Sequence, residues 1–363
     1  MKGLKITLIS VLSVVVVGLC VLLGYGLSRA DSAQWEIVSS NAELVQEKQF
    51  SVEDIDKLDI RYDRSSNDVT IYESDGSTVI VREFANFEVK DSELADIRLS
   101  GSTLSVKGPK RVNNMVSVNR YMVNRYMYTE IWLPAGYEGE ISVKTVSGEI
   151  SVDRELSLQQ KLKLSSTSGD ITTKNVAAEQ VMIASTSGEV RTGELTAKEI
   201  EISTTSGDIR LDKAAGRLLA ASTSGEVTVS DGSGERKVST TSGDIRISGI
   251  DSKFSVSSTS GEVTLEGQSG FGTVGTTSGD TRLSIAQLTG DLDINTSSGA
   301  VTLQLSRDES LQFKAATVSG EISTFFDDAL SFSKKGDRAE GSVGNDSKNK
   351  VTVTTTSGDI RVQ

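Results

Sequence analysis

The sequence predicts an all-β repeat protein, a β-solenoid of about 12 coils preceded by one membrane-spanning α-helix. Three observations carry this reading. A Ser-Gly dipeptide recurs about every 19 residues, apolar and polar residues alternate on both sides of it, and an uncharged stretch long enough to cross a bilayer stands near the N-terminus.

Residues 6–27 (ITLISVLSVVVVGLCVLLGYGL) contain no charged side chain. At about 1.5 Å per residue, a helix of that length spans the ~30 Å hydrocarbon core. Lys2 and Lys5 precede it, so the positive-inside rule leaves residues 1–5 in the cytoplasm and carries the rest across the cell membrane. A cleaved signal peptide is the competing reading, with Ser28-Arg29-Ala30 as a small-x-small site. Cleavable apolar regions, however, run only about 7–15 residues. A lipoprotein would use Cys20, yet Leu19 sits where a small residue is wanted. Residues 28–49 are mixed and polar and read as a tether.

Composition removes several chemistries. The chain has 363 residues, no His and a single Cys, Cys20. It therefore has no imidazole base or metal ligand, and no disulfide or thiolate zinc site beyond the anchor. With 38 basic and 50 acidic side chains, the net charge is −12. An acidic chain is a poor partner for nucleic acid. No enzyme activity and no cofactor are expected.

Residues 50–145 lack Ser-Gly turns but alternate, as in Asp68-Val69-Thr70-Ile71-Tyr72 and Val79-Ile80-Val81, and form a first β region that caps the stack. From residue 146 to 363 the repeat takes over. Its glycines run from Gly148 to Gly320 in steps of 18 to 21 residues and return at Gly358 after 38, with Gly341 dividing that interval as a degenerate copy. One unit, Glu199 to Leu211 (EIEISTTSGDIRL), reads as strand, turn, strand. The turn glycine supplies positive φ and the Ser and Thr hydroxyls satisfy turn amides. Coils stacked at about 4.8 Å give a rod on the order of 55 Å. An antiparallel meander also fits the spacing.

The residue after each turn glycine alternates strictly from Glu149 and Asp170 through Glu262 and Asp280, and Arg210, Arg246 and Arg282 follow Asp two positions on. The true period is thus about 37 residues, and a charged ladder along one edge is expected. A calcium roll needs a shorter, more acidic repeat. A glycosidase needs one distinct carboxylate pair, whereas every acid here belongs to a repeated register.

The duplicated Asn-Arg-Tyr-Met at 119–122 and 124–127 places Arg and Tyr together in an aromatic-poor chain. These residue types are enriched at binding hot spots. Arg111, Arg120, Tyr121, Arg125, Tyr126 and Tyr128 are therefore the candidate partner-binding residues, against the plainer reading of a strand with half-buried tyrosines.

The repeated Thr-Ser-Gly-Asp-Ile turns, Asp68-Val69-Thr70-Ile71, and Ile131-Trp132-Leu133-Pro134 before Ile141-Ser142-Val143 together resemble the bacterial adhesin-type, or toast-rack, family over residues 50 to 363. The resemblance implies a right-handed single-stranded β-helix and a role at the cell surface, in adhesion or in envelope-stress systems of the Lia and phage-shock type. The expected function is a membrane-anchored extracytoplasmic module that binds another protein or an envelope or surface glycan. An accessory component of an envelope stress response, bound to a membrane sensor protein, is the alternative.

Overall fold

The computed structural model describes residues 42–64, 66–109, 115–118, 121–345 and 348–363, with backbone alone in the strands Met115–Val118 and Tyr121–Asn124. The helix expected at 6–27 lies outside these residues; among the described ones no helix is long and apolar enough to cross a membrane. The chain divides into two units. One contains the antiparallel hairpin of those two strands, and the other comprises Ala42–Val112 and Tyr126–Gln363.

The larger unit is a parallel stack, so the meander does not form. On a first face Leu58, Ile141, Leu162, Val181, Ile200 and Leu218 are successive lateral partners. On a second face, after each Ser-Gly turn, the series is Val69, Ile150, Ile171, Val190, Ile209 and Val227. A short third side, Leu156, Val176, Leu195 and Ala214, closes each coil. All of these side chains are buried. Period-2 alternation puts every second residue inside, and burial of each large apolar side chain contributes about 1.5–3 kcal/mol.

The turns stack as tightly as the strands. In the turn of Gly225, a Cβ would overlap the carbonyl oxygen of Gly207 in the neighbouring coil, and the same overlap recurs from Gly148 against Asn67 to Gly320 against Gly358. Close approach therefore demands glycine throughout, whereas positive φ, expected at every turn, is found at Gly279, Gly299 and Gly358. A buried hydroxyl three residues earlier accepts the glycine N–H, as Ser166 does from Gly169 at 2.8 Å and Thr204 from Gly207 at 2.9 Å. At Gly261, Gly279, Gly299 and Gly358 that N–H instead donates to the next coil's backbone, for example Gly279 to Ser298 O at 2.9 Å.

Both ends close with antiparallel strands, which blunt the exposed edges of a parallel stack. At the N-terminal end Met127–Pro134 pairs in parallel with Asp68–Ser74 and antiparallel with Thr78–Ala85, which pairs antiparallel with Glu43–Ser51. Strand structure thus begins inside the segment expected as tether. At the other end Arg338–Val343 runs antiparallel to Leu311–Ala316. Gly341 lies in that strand, opposite Phe313, so it is part of a closing hairpin and not a degenerate coil.

The last coil is out of order. Asn349–Ser357 lies between the 292–298 segment and Leu311–Ala316, and Ile360–Val362 lies between Val301–Leu305 and Ile322–Thr324. The C-terminal residues are wedged inside the stack because Arg338–Val343 already occupies the outer edge of the 311–316 strand.

One core position carries a charge. Arg236 replaces the aliphatic residue expected between Leu218 and Phe254; it is 1% exposed, and its three guanidinium nitrogens have no hydrogen-bond partner among the described residues. Burial lowers its pKa against the pull of Asp251 and Asp231. Buried charge without a partner is strongly unfavourable, and an apolar replacement is commonly stabilising. Arg236→Met is accordingly expected to raise stability by about 2 kcal/mol, read as a higher urea midpoint at unchanged slope.

Candidate functional site

The outward side of the second face carries two columns of side chains. The first is the residue following each turn. In spatial order it reads Asp68, Glu149, Asp170, Glu189, Asp208, Glu226, Asp244, Glu262, Asp280, Ala300, Asp359, Glu321. Insertion of the last coil puts Asp359 before Glu321, so the Asp/Glu alternation persists to the end of the stack with Ala300 as its one substitution.

The alternation has a mechanical cause. Each Asp is short enough for Oδ1 to accept the next coil's backbone N–H, as Asp170 does from Glu189 at 2.8 Å, Asp208 from Glu226 at 2.9 Å, Asp244 from Glu262 at 2.9 Å and Asp359 from Glu321 at 3.1 Å. The longer Glu meets the second column. There Arg210 bridges Asp208 of its own coil and Glu189 of the preceding one, Arg246 bridges Asp244 and Glu226, and Arg282 bridges Asp280 and Glu262. Asp ties each pair of coils forward and Arg ties it back, which explains the period of about 37. The Arg282 pKa is raised, chiefly by its hydrogen bond to Glu262. Individually such exposed pairs contribute about 0–1 kcal/mol. Glu149 has no arginine above it, and burial, Asp68 and Asp170 hold its carboxyl above its ordinary value. Among the described residues no group of three or more His, Cys, Asp or Glu is placed to hold a metal ion.

At its N-terminal end this face turns aromatic. Tyr128 is the lateral partner of Asp68 and Trp132 of Tyr72, while Phe84 opposes Tyr128 on the antiparallel side. Phe84 and Tyr128 stack with centroids 4.8 Å apart, and Tyr72 and Trp132 lie 4.9 Å apart, tilted by 31°. Between the two pairs runs a charged row. The Arg82 guanidinium lies 5.6 Å from the Trp132 ring centroid and its Nε donates to Glu47 at 2.8 Å; the Trp132 indole N–H donates to Glu130 at 2.9 Å. Tyr126 and Leu44, 40% and 50% exposed, extend the apolar surface. The chain has 18 aromatic residues (9 Phe, 7 Tyr and 2 Trp), so five within this one sheet region is a concentration.

Of the residues singled out in the sequence, Tyr126 and Tyr128 belong to this region. Arg125 is half-buried and falls in the smaller unit, the Tyr121 side chain is not described, and Arg111 and Arg120 lie outside the described residues. Sequence reasoning missed Tyr72, Arg82, Phe84 and Trp132. Their outward parity within alternating strands was readable, but the pairing of strands about sixty residues apart was not.

Beneath this sheet Glu83 is fully buried. Its carboxylate accepts the Tyr62 hydroxyl at 3.0 Å and the Ala95 N–H at 2.9 Å, and Tyr62 also hydrogen-bonds Thr129. Burial raises its pKa above the usual carboxylate value despite these bonds and nearby Lys48. A raised folded pKa means the stabilising contribution is complete below the unfolded value, ~4.3, and is lost as pH rises through the folded one. Glu83→Gln is therefore expected to be more stable than the parent at pH 8 and not at pH 4, compared by urea midpoints.

A family model described as Toastrack DUF4097 matches residues 55–248 and 233–363. The chain belongs to this family. Among solved structures, the Toastrack chain is similar to a candidate lipid-binding protein from Parabacteroides distasonis, at 16% identity over 73% of this chain and 99% of the other, with a TM-score of 0.37. It is also similar to a candidate adhesin from Bacteroides fragilis (13% identity, 73% and 99% covered, TM-score 0.35) and a candidate cell adhesion protein from Clostridium sporogenes (10%, 89% and 99%, 0.24). A search of curated proteins found no match.

Proposed function

We propose that this Toastrack chain is a non-catalytic, membrane-anchored interaction module outside a bacterial cell, and that it binds an envelope or surface glycan through the sheet bearing Tyr72, Trp132, Phe84 and Tyr128. The uncharged stretch from Ile6 to Leu27 would supply the anchor. The observation that carries the binding role is the pairing of two aromatic rows with the Arg82, Glu47 and Glu130 row between them. Rings offer apolar faces to sugar C–H surfaces, and the charged row offers donors and acceptors to hydroxyls. Tyr, Trp and Arg are also the residue types that dominate binding energetics.

Trp132 and Trp35 are the two tryptophans, so Trp35→Phe leaves Trp132 as a single fluorescent reporter. Titration with purified peptidoglycan fragments and with surface polysaccharide is expected to shift its emission. Combined Trp132→Ala and Tyr128→Ala is expected to weaken retention on the polymer at least tenfold, about 1.4 kcal/mol. A folded double variant that binds as well as the parent sinks the reading. Crosslinking in intact cells that captures a membrane sensor protein instead of glycan would replace it with the accessory stress-response role.

A further inference from the structure

The inserted last coil makes its strand pairings with other coils, and these hold it on two sides. Val351 is the partner of Leu292 on one side and Phe313 on the other; Ile360 is the partner of Val301 and Ile322. Val351, Val353 and Ile360 are fully buried and Val362 nearly so. The turn joins both columns: Gly299 N–H donates to Ser357 O, and Gly358 N–H to Ser319 O, each at 2.9 Å. Parallel backbone bonds continue to the terminus, with Gln363 N–H donating to Leu303 O at 2.9 Å.

Covalent connection to this coil is slight. Val343 and Asn349 are both lateral partners of Leu311, on opposite edges of its strand. Val343 and Asn349 therefore flank the end of one strand, a span of about 10 Å. Nothing in the slot's pairing distinguishes residues 349–363 of the same chain from those of an identical neighbour. Exchange of an identical element between copies is a low-cost route to a closed two-fold dimer.

We propose that the slot between the coil ending at Leu305 and the coil beginning at Leu311 is a strand-exchange site, and that a second copy of this chain fills it with its own residues 349–363. The exchange is reciprocal: each copy completes the other's stack and seats the other's terminal hairpin. The pattern the slot selects is its own, Val351 and Val353 inward, Gly358 in the glycine column, Asp359 accepting from Glu321, and Ile360 and Val362 inward.

Thr302 and Arg361 are lateral partners with outward side chains, at a strand spacing of ~4.8 Å that a disulfide spans. The test uses the full chain carrying Cys20→Ser. Thr302→Cys and Arg361→Cys are placed on separate chains of different mass, unfolded together and refolded over a range of concentrations. A mixed disulfide between the two chains, rising with concentration, is the expected result. The same two substitutions in one chain should close internally at low concentration. Internal closure without any mixed disulfide, even at the highest concentration, overturns the exchange. Failure of internal closure both here and in the Ser298→Cys, Ser357→Cys pair overturns the insertion on which it rests.

Discussion

Gly225→Ala is expected to destabilise the stack by about 3 kcal/mol, because the added methyl has nowhere to go but into a packed backbone. The colliding atom is the carbonyl oxygen of Gly207, part of a turn fixed from both sides, since Gly207 N–H is held by Thr204 and Gly225 N–H by Ser222. Relief requires two coils to separate, which lengthens the strand bonds on both faces at once. Gly275→Ala is the control. A Cβ there meets nothing within 4 Å, so lower unfolded-state entropy should leave it neutral or more stable by about 0.4–1 kcal/mol. Urea midpoints of the two variants decide the matter: equal values would mean that the turn glycines are not what sets the coil spacing.

Ending the chain at Asn345 is expected to release the whole terminal hairpin while sparing the middle of the stack. Leu311–Ala316 and Ile322–Thr324 reach the rest of the stack through the inserted coil, by way of Asn349–Ser357 and Ile360–Val362. Burial of Val351, Val353, Ile360 and Val362 amounts to on the order of 6 kcal/mol before the entropy of ordering is subtracted. Repeat stability is carried by nearest neighbours, so amides of 311–343 should lose protection from hydrogen exchange, while those between Ile150 and Leu265 keep theirs. Protection that persists in 311–343 would show that this coil can dock directly on Val301–Leu305 in chain order.

Much of the fold was legible because one local rule repeats. Alternation in units such as EIEISTTSGDIRL placed Ile200, Ile202, Ile209 and Leu211 inside, and they are buried. The Asp/Glu alternation pointed to a two-coil period, which the Asp-to-amide and Arg-to-Glu bonds now account for. The reason for glycine was misread: each turn looked like a demand for φ, and close packing between coils is what excludes a side chain at Gly225. Gly341 misled because a Gly following alternating residues has the same local appearance in an antiparallel hairpin as in a coil. The aromatic region of the N-terminal sheet was half visible. Tyr126 stood out by the repeated motif and Tyr128 by following it directly, whereas Tyr72, Phe84, Arg82 and Trp132 join them only through pairing between distant strands.

The sequence by itself determined the repeat, its β character, which residues of each unit face inward, and the charge pattern of the outer ladder. These are local properties, set by side-chain parity and turn chemistry within some twenty residues. Tertiary structure alone decided the order in which the coils stack, the seating of residues 349–363 between earlier coils, the burial of Arg236 and the gathering of the aromatic rows. Near-identical coils offer nearly identical edges, so local sequence does not choose between neighbours. The choice falls to which edges the closing strands have already covered.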